Sequence, residues 1–299
     1  MEIDARFPTK LNTVYDAPES FRSALVESLP PSEPIRLLVH APAFATADEK
    51  SPATVLAVAN NGWLMVSETE DGSAALQKSD FSDTLFLELT SILLLGQLRI
   101  AFSAVDTSRS VAIKFDAAED ELYREAIDLM LAGIDPALTG AANKDHIQAQ
   151  EFRDWPMKVR NEAQRYCPKG QRLLAAVEWR AIFGSSQQQL APAGALLFTE
   201  RELVVISDEQ NAAAERPQET HSAEEPKETL GGIITFVPRV RLADFHVSHQ
   251  ESFAVLALHL HAAHGEEKLE VIFPSDDENA VSRAMEQMLV PPGAANQTS

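Results

Sequence analysis

Histidine is the residue type best placed to do chemistry in this chain. Five of its eight histidines, His246, His249, His259, His261 and His264, fall within 19 residues. Imidazole ligates zinc and other transition metals and carries protons near neutral pH. His259 and His261 stand two apart in a strand-like run, so both project from one face. Leu256, Leu258 and Leu260 take the opposite face, and such an apolar set points inward. The two histidines are therefore expected to face solvent. A metal centre also needs further ligands and an outer shell that orients them, so these residues read as solvent-facing polar groups and no metal site is expected.

Cys167, the single cysteine, sits between Tyr166 and Pro168 at the expected end of a helix. A nucleophilic cysteine needs a neighbouring base and a depressed pKa, and no local pattern supplies them, so a structural or surface thiol is expected. G-x-S-x-G, H-E-x-x-H, P-loop and G-x-G-x-x-G patterns are absent from the sequence, which disfavours hydrolases, zinc proteases and nucleotide enzymes. The acidic clusters Glu119 to Glu121 and Asp276 to Glu278 suit the first turns of helices, where carboxylates offset the helix dipole. Trp63, Trp155 and Trp179 read as packing anchors. No catalytic, cofactor-binding or metal-binding residue is assigned, and no cofactor is expected.

The elements that would position these groups form an internal repeat. Leu56, Leu64, Met65, Val66 and Ser67 correspond to Leu196, Val204, Val205, Ile206 and Ser207, an offset of 140. Leu98, Ile100, Phe102, Ile113, Phe115 and Met130 correspond to Leu256, Leu258, Leu260, Val271, Phe273 and Met288, an offset of 158. The second copy thus carries 18 extra residues between the two blocks, found in the acidic stretch Glu209 to Thr229, which has no large apolar residue. Such a stretch cannot bury enough surface to offset its ordering entropy, and a flexible acidic insertion over 209–231 is expected.

Each copy reads alike. A strand over 35–41 (172–182 in the second copy) precedes a hairpin of Val55 to Ala59 and Trp63 to Ser67, turned at Asn60-Asn61-Gly62, where asparagine and glycine tolerate positive φ. Alternation at Leu98, Ile100 and Phe102, then at Val111, Ile113 and Phe115, gives two more half-buried strands. Helical spacing follows at Leu122, Ala126, Leu129 and Met130. In the second copy it follows at Val281, Ala284, Met285 and Met288, with Ser275 and Glu278 as a capping box. Pro18 to Leu29 reads as a short leading helix. Asp154, Pro156, Met157, Val159, Ala163 and Tyr166 suggest a helix in the connection between the copies.

The chain carries 25 Lys plus Arg against 45 Asp plus Glu, a net charge of -20, with 45% hydrophobic residues. Residues 1–136 sum to -12, 136–169 to +2 and 171–299 to -10. A surplus of this size repels phosphate backbones and anionic headgroups, so bulk-charge binding of nucleic acid or membrane is not expected. No secretory signal and no apolar run of spanning length is read, and a cytoplasmic location is expected.

Strands followed by one terminal helix, with LLFTERELVVIS at Leu196 to Ser207 and ITFVPRVRLADFHV at Ile234 to Val247, resemble the bacterial pleckstrin-homology-like domains and the related GRAM domains. Thr199, Arg201 and Leu203 match the family's turn pattern. The equivalent sites of the first copy hold Ala59, Asn61 and Trp63. The resemblance implies an α+β chain of two barrels, each of six to seven antiparallel strands capped by a C-terminal helix and joined by a helical linker. The expected boundaries are 1–136 for the first domain, 137–166 for the linker, 167–292 for the second domain and 293–299 for a disordered tail. It further implies a non-enzymatic binding or scaffold protein that recognises a protein or peptide partner at a strand edge or beside the terminal helix. Phosphoinositide binding is not expected, because the loops Ala45 to Ser51 and Phe183 to Gln189 lack the cluster of basic residues that such members carry. A peripheral lipid-sensing module is the alternative, and a metal enzyme built on the histidines ranks below both. The partner-binding residues and the oligomeric state stay open.

Overall fold

The computed structural model describes residues 7–30, 33–45, 50–69, 71–105, 107–136, 152–168, 171–184, 189–208, 231–250 and 253–289. The insertion at 209–230, the tail at 293–299 and residues 137–151 of the expected linker lie outside the described residues. The chain divides into two compact units. The first comprises Met1–Leu89, Leu94–Ala141 and Leu260–Glu267, and the second comprises Thr90–Leu93, Ala142–His259 and Lys268–Ser299. Each unit therefore includes a short piece from the other half of the sequence.

The first unit opens with β1 (Thr9–Lys10), α1 (Glu19–Ser28), β2 (Ile35–Ala41), and the short pair β3 (Phe44–Ala45) and β4 (Lys50–Ser51). It continues through β5 (Thr54–Ala59), β6 (Gly62–Glu68), β7 (Ala74–Asp80), β8 (Thr84–Ile92), β9 (Leu95–Ala104), β10 (Thr107–Asp116) and α2 (Asp120–Ile134). Five strands form an antiparallel sheet in the order β1-β2-β5-β6-β7. Every residue of β5, a continuous run of Thr, Val, Leu and Ala, is buried. A run without polar alternation is what burial on both faces requires. One face, with Leu38, Val55, Ala57, Leu64 and Val66, clusters with Phe21 and Leu25 of α1. α2 also contacts β2, β5 and β6, and its stripe of Tyr123, Ala126, Ile127, Met130 and Leu131 is buried.

The second unit contains α3 (Met157–Tyr166), β11 (Leu173–Trp179), β12 (Ile182–Phe183), β13 (Gln189–Ala191), β14 (Gly194–Thr199) and β15 (Glu202–Asp208). β16 (Gly231–Pro238), β17 (Leu242–His249), β18 (Ala254–Ala262), β19 (Gly265–Phe273) and α4 (Glu278–Leu289) complete it. The pairing registers repeat at the offsets read from the sequence. Leu56 pairs with Met65 as Leu196 pairs with Val205, and Gly62 pairs with Asp80 as Glu202 pairs with Pro238. The added residues thus enter between β15 and β16.

The expectation of two closed barrels joined by a linker helix is not met. Strand accounts for 53% of the described residues and helix for 27%, and none of the sheets closes. In the first unit β1 occupies the outer edge of β2 through Thr9↔His40 and Lys10↔Val39, while β7 ends the sheet on the other side. Closure needs the first and last strands to hydrogen-bond each other, and β1 fills the place where that would begin. The presumed linker helix is also part of a core. α3 packs on β14 and β15 with Val159, Ala163 and Tyr166 buried, as α1 packs on β6 and β7.

Two local expectations change as well. Among the described residues the positive-φ positions are Leu93, Val105 and Gly72, so the Asn60-Asn61 turn is made without one. Gly62 answers to a close approach instead, because a Cβ there would lie 2.3 Å from the Ser79 carbonyl oxygen. Ser275 stands in a 3-10 turn rather than capping α4, and the Glu278 carboxylate meets His249 Nδ1 at 3.1 Å.

Candidate functional site

The first unit holds a cavity of about 530 Å³ between α1, the β6–β7 edge and the β9–β10 turn. Leu29 and Pro30 border it at the end of α1, Trp63 and Leu64 come from β6, and Phe102 comes from β9. Trp63 and Phe102 meet edge to face with ring centroids 5.2 Å apart. The Trp63 indole N–H donates to Thr84 Oγ1 at 3.0 Å, and that hydroxyl donates to the Asp80 carbonyl at 3.3 Å. A buried tryptophan with its one donor satisfied is a rigid apolar wall.

The charged lining is mostly acidic. Glu33, Asp80 and Asp83 face it together with Lys78, Ser79, Ser103 and His264. Ser103 Oγ donates to Asp83 Oδ1 at 3.1 Å, and His264 Nδ1 lies 2.8 Å from the same oxygen. Ser103 is buried, the Asp83 side chain is 13% exposed and the His264 side chain 65%. The order is serine, aspartate, histidine. A serine nucleophile needs the imidazole beside its hydroxyl, with the carboxylate behind the imidazole; here the carboxylate stands between them. The arrangement anchors the β18–β19 turn, which also donates the Ala263 N–H to the Ser82 carbonyl at 3.2 Å. Val105, at the rim, is 85% exposed and held at φ 42°. That backbone region is costly for a β-branched residue.

β7 runs along this cavity as the terminal strand of its sheet. Ala74, Ala75, Leu76, Gln77, Lys78 and Asp80 are exposed and Ser79 half-buried. Lys78, Ser79 and Asp80 contribute to both the edge and the cavity.

The residues singled out in the sequence are dispersed. Leu256, Leu258 and Leu260 are buried and His259 and His261 are exposed on β18. His261 pairs with Glu266 at 3.6 Å and His249 with Glu278, while His264 joins the cavity. Among the described residues no group of three or more His, Cys, Asp or Glu is placed to hold a metal ion. Cys167 is half-buried at the end of α3, where its N–H donates to the Ala163 carbonyl at 2.8 Å. Trp155 packs on Phe152, and Trp179 donates to the Pro192 carbonyl at 3.0 Å. Asp116, just ahead of the expected acidic turn, accepts from the Ala118 N–H at 3.0 Å. Thr199 serves the β14–β15 turn: its hydroxyl donates to the Glu202 carbonyl at 2.8 Å and accepts the Glu202 N–H at 3.0 Å. Arg201 pairs through its guanidinium with the buried Glu202 carboxylate.

Four further titratable groups are shifted by their surroundings. His40 on β2 is lowered by burial, and its Nδ1 has no hydrogen-bond partner. Glu178 and Asp277 are both raised, in each case chiefly by burial and then by a neighbouring acid. Glu162 on α3 is pushed up to about 7, first by burial and then by Asp208, against the opposing pull of Lys158 and Arg165. Lys158 Nζ lies 2.7 Å from Asp208 Oδ1 and donates to the Gly231 carbonyl at 2.8 Å.

The chain matches no family model, and no curated protein matches it. Among the described residues no helix is long and apolar enough to cross a membrane.

Proposed function

We propose that this chain is a binding protein whose first unit captures an extended segment of a protein partner by strand addition at β7. The observation that carries this reading is an exposed, terminal seven-residue strand lying beside a preformed cavity. Strand addition draws affinity from main-chain hydrogen bonds and specificity from pockets that receive alternate side chains. β7 offers the row of backbone groups and the cavity offers the pocket. The resemblance set out above points the same way, to a non-enzymatic scaffold. Natural sheets usually blunt such an edge with short strands, charges or a covering element; β7 carries only Lys78 and Asp80 as charged residues.

Selection of random decapeptides displayed on phage against the purified full-length protein tests the proposal. Selected peptides should protect the β7 amides from hydrogen exchange. They should also lose binding when their backbone nitrogens are methylated at alternate positions, since an N-methyl group removes the donor that strand pairing needs. Peptides that bind without protecting β7, or that tolerate methylation throughout, refute strand addition.

A further inference from the structure

We infer that the cavity beside β7 receives a basic side chain, arginine above all, from the peptide paired on that strand. This inference rests on the peptide-binding reading above. Three carboxylates, Glu33, Asp80 and Asp83, line the cavity against one lysine, Lys78, and His264 already engages Asp83 at 2.8 Å. The charge excess lies inside a recess whose walls are apolar, with Trp63, Phe102 and Leu29 on its sides and Val105 at its rim. A long basic side chain fits both features, since its methylene stem packs on apolar surface while its head reaches the carboxylates. Arginine adds a planar fork that donates to two carboxylate oxygens at once, and such charge-assisted bonds are stronger in a recess than in water.

Asp83, with its side chain only 13% exposed, is the receptor group fixed most firmly. Its carboxylate is held in place by Ser103 and His264, and both contacts fall on Oδ1. Its other oxygen can take an incoming donor without breaking either contact. Asp80, which is exposed, and Glu33 would draw in the cation and favour its orientation. Side chains of an added strand alternate in direction, so one basic residue flanked by outward-facing neighbours suffices. The net charge of -20 also favours the approach of a basic segment at low salt.

The decapeptide selection above supplies the first readout: peptides that protect β7 should carry arginine or lysine at a recurrent position. Synthetic twins of one such peptide, with arginine or with its neutral isostere citrulline at that position, give the second. The arginine peptide should bind about tenfold more tightly than the citrulline peptide. The advantage should shrink between about 50 and 500 mM NaCl. It should fall to a few-fold in the Glu33→Gln/Asp80→Asn variant, whose substitutions leave Asp83 intact and whose melting temperature checks its folding. If the citrulline twin binds equally, or if selected peptides protect β7 but lack a basic residue, the charge inference is overturned while strand addition stands. If no peptide is selected, the peptide-binding reading fails and this inference fails with it.

Discussion

Replacing Glu162 by glutamine should flatten the alkaline side of the stability profile of the second unit. Burial raises this carboxyl from its ordinary 4.5 to about 7. Between those values the folded chain keeps a proton that the unfolded chain has released, so the stability present below pH 4.5 is lost as pH climbs through 7. At ~1.4 kcal/mol per pH unit the loss is at most ~3.5 kcal/mol. Solvent reaches part of the group and screens it, which brings the expected figure to about 1–2 kcal/mol. Glutamine keeps the shape and the neutral state at every pH. Lys158 retains its contacts with Asp208 and Gly231. Melting followed by calorimetry from pH 5 to pH 8 should show the variant equal to wild type at the acid end and about 2–8 °C more stable at the alkaline end. Glu178 and Asp277 are also raised and contribute in the same sense, whereas His40 is lowered and acts oppositely, costing stability as pH falls below 6.5. Those three remain in both proteins and cancel in the difference. A constant gap between the two curves across this range would refute the assignment.

Two further substitutions test the packing argument. Tyr123 stacks on Phe115 with centroids 3.6 Å apart, and its buried hydroxyl has no hydrogen-bond partner. Tyr123→Phe should therefore raise stability by about 1 kcal/mol in urea unfolding, because an unsatisfied buried hydroxyl is costly; a loss instead would show that the hydroxyl is satisfied. Gly62→Ala should cost about 1–3 kcal/mol, since the new methyl would meet the Ser79 carbonyl at 2.3 Å and part β6 from β7. The same variant should weaken the peptide binding proposed for the adjoining cavity.

Local and repeated features were legible in the sequence. The two offsets placed the hairpins and the inserted stretch, because each copy must bury the same apolar positions. Alternation at Leu256, Leu258 and Leu260 put His259 and His261 on the outer face, because side-chain direction in a strand has a period of two. What escaped depends on which distant backbone segments meet. Nothing in Thr9-Lys10 marks it as the strand that covers β2, and without that contact the sheet reads as closable. The Asp83 and His264 contact joins residues 181 apart in sequence, so neither belongs to a local motif. The Ser275 and Glu278 spacing fits a capping box, but His249 takes the Glu278 carboxylate and a 3-10 turn takes the serine. Gly62 was read as a turn glycine from its asparagine neighbours, whereas its reason is a strand passing too near for a side chain.

The grip of Lys158 on Asp208 and Gly231 has a consequence for how this chain can change. Those residues end β15 and begin β16, and Asp208 pairs with Gly232 across the ladder. The two ends of the inserted stretch are thus tied together by the sheet and by a helix that is itself anchored in the core. From Thr69–Ser73 in the first copy to 209–230 in the second, the connection lengthens by about two doublings, for which loop-closure entropy asks only about 1.2 kcal/mol. A stem so braced is a grafting point, where foreign sequence can be spliced in or trimmed away while the strands beneath keep their register.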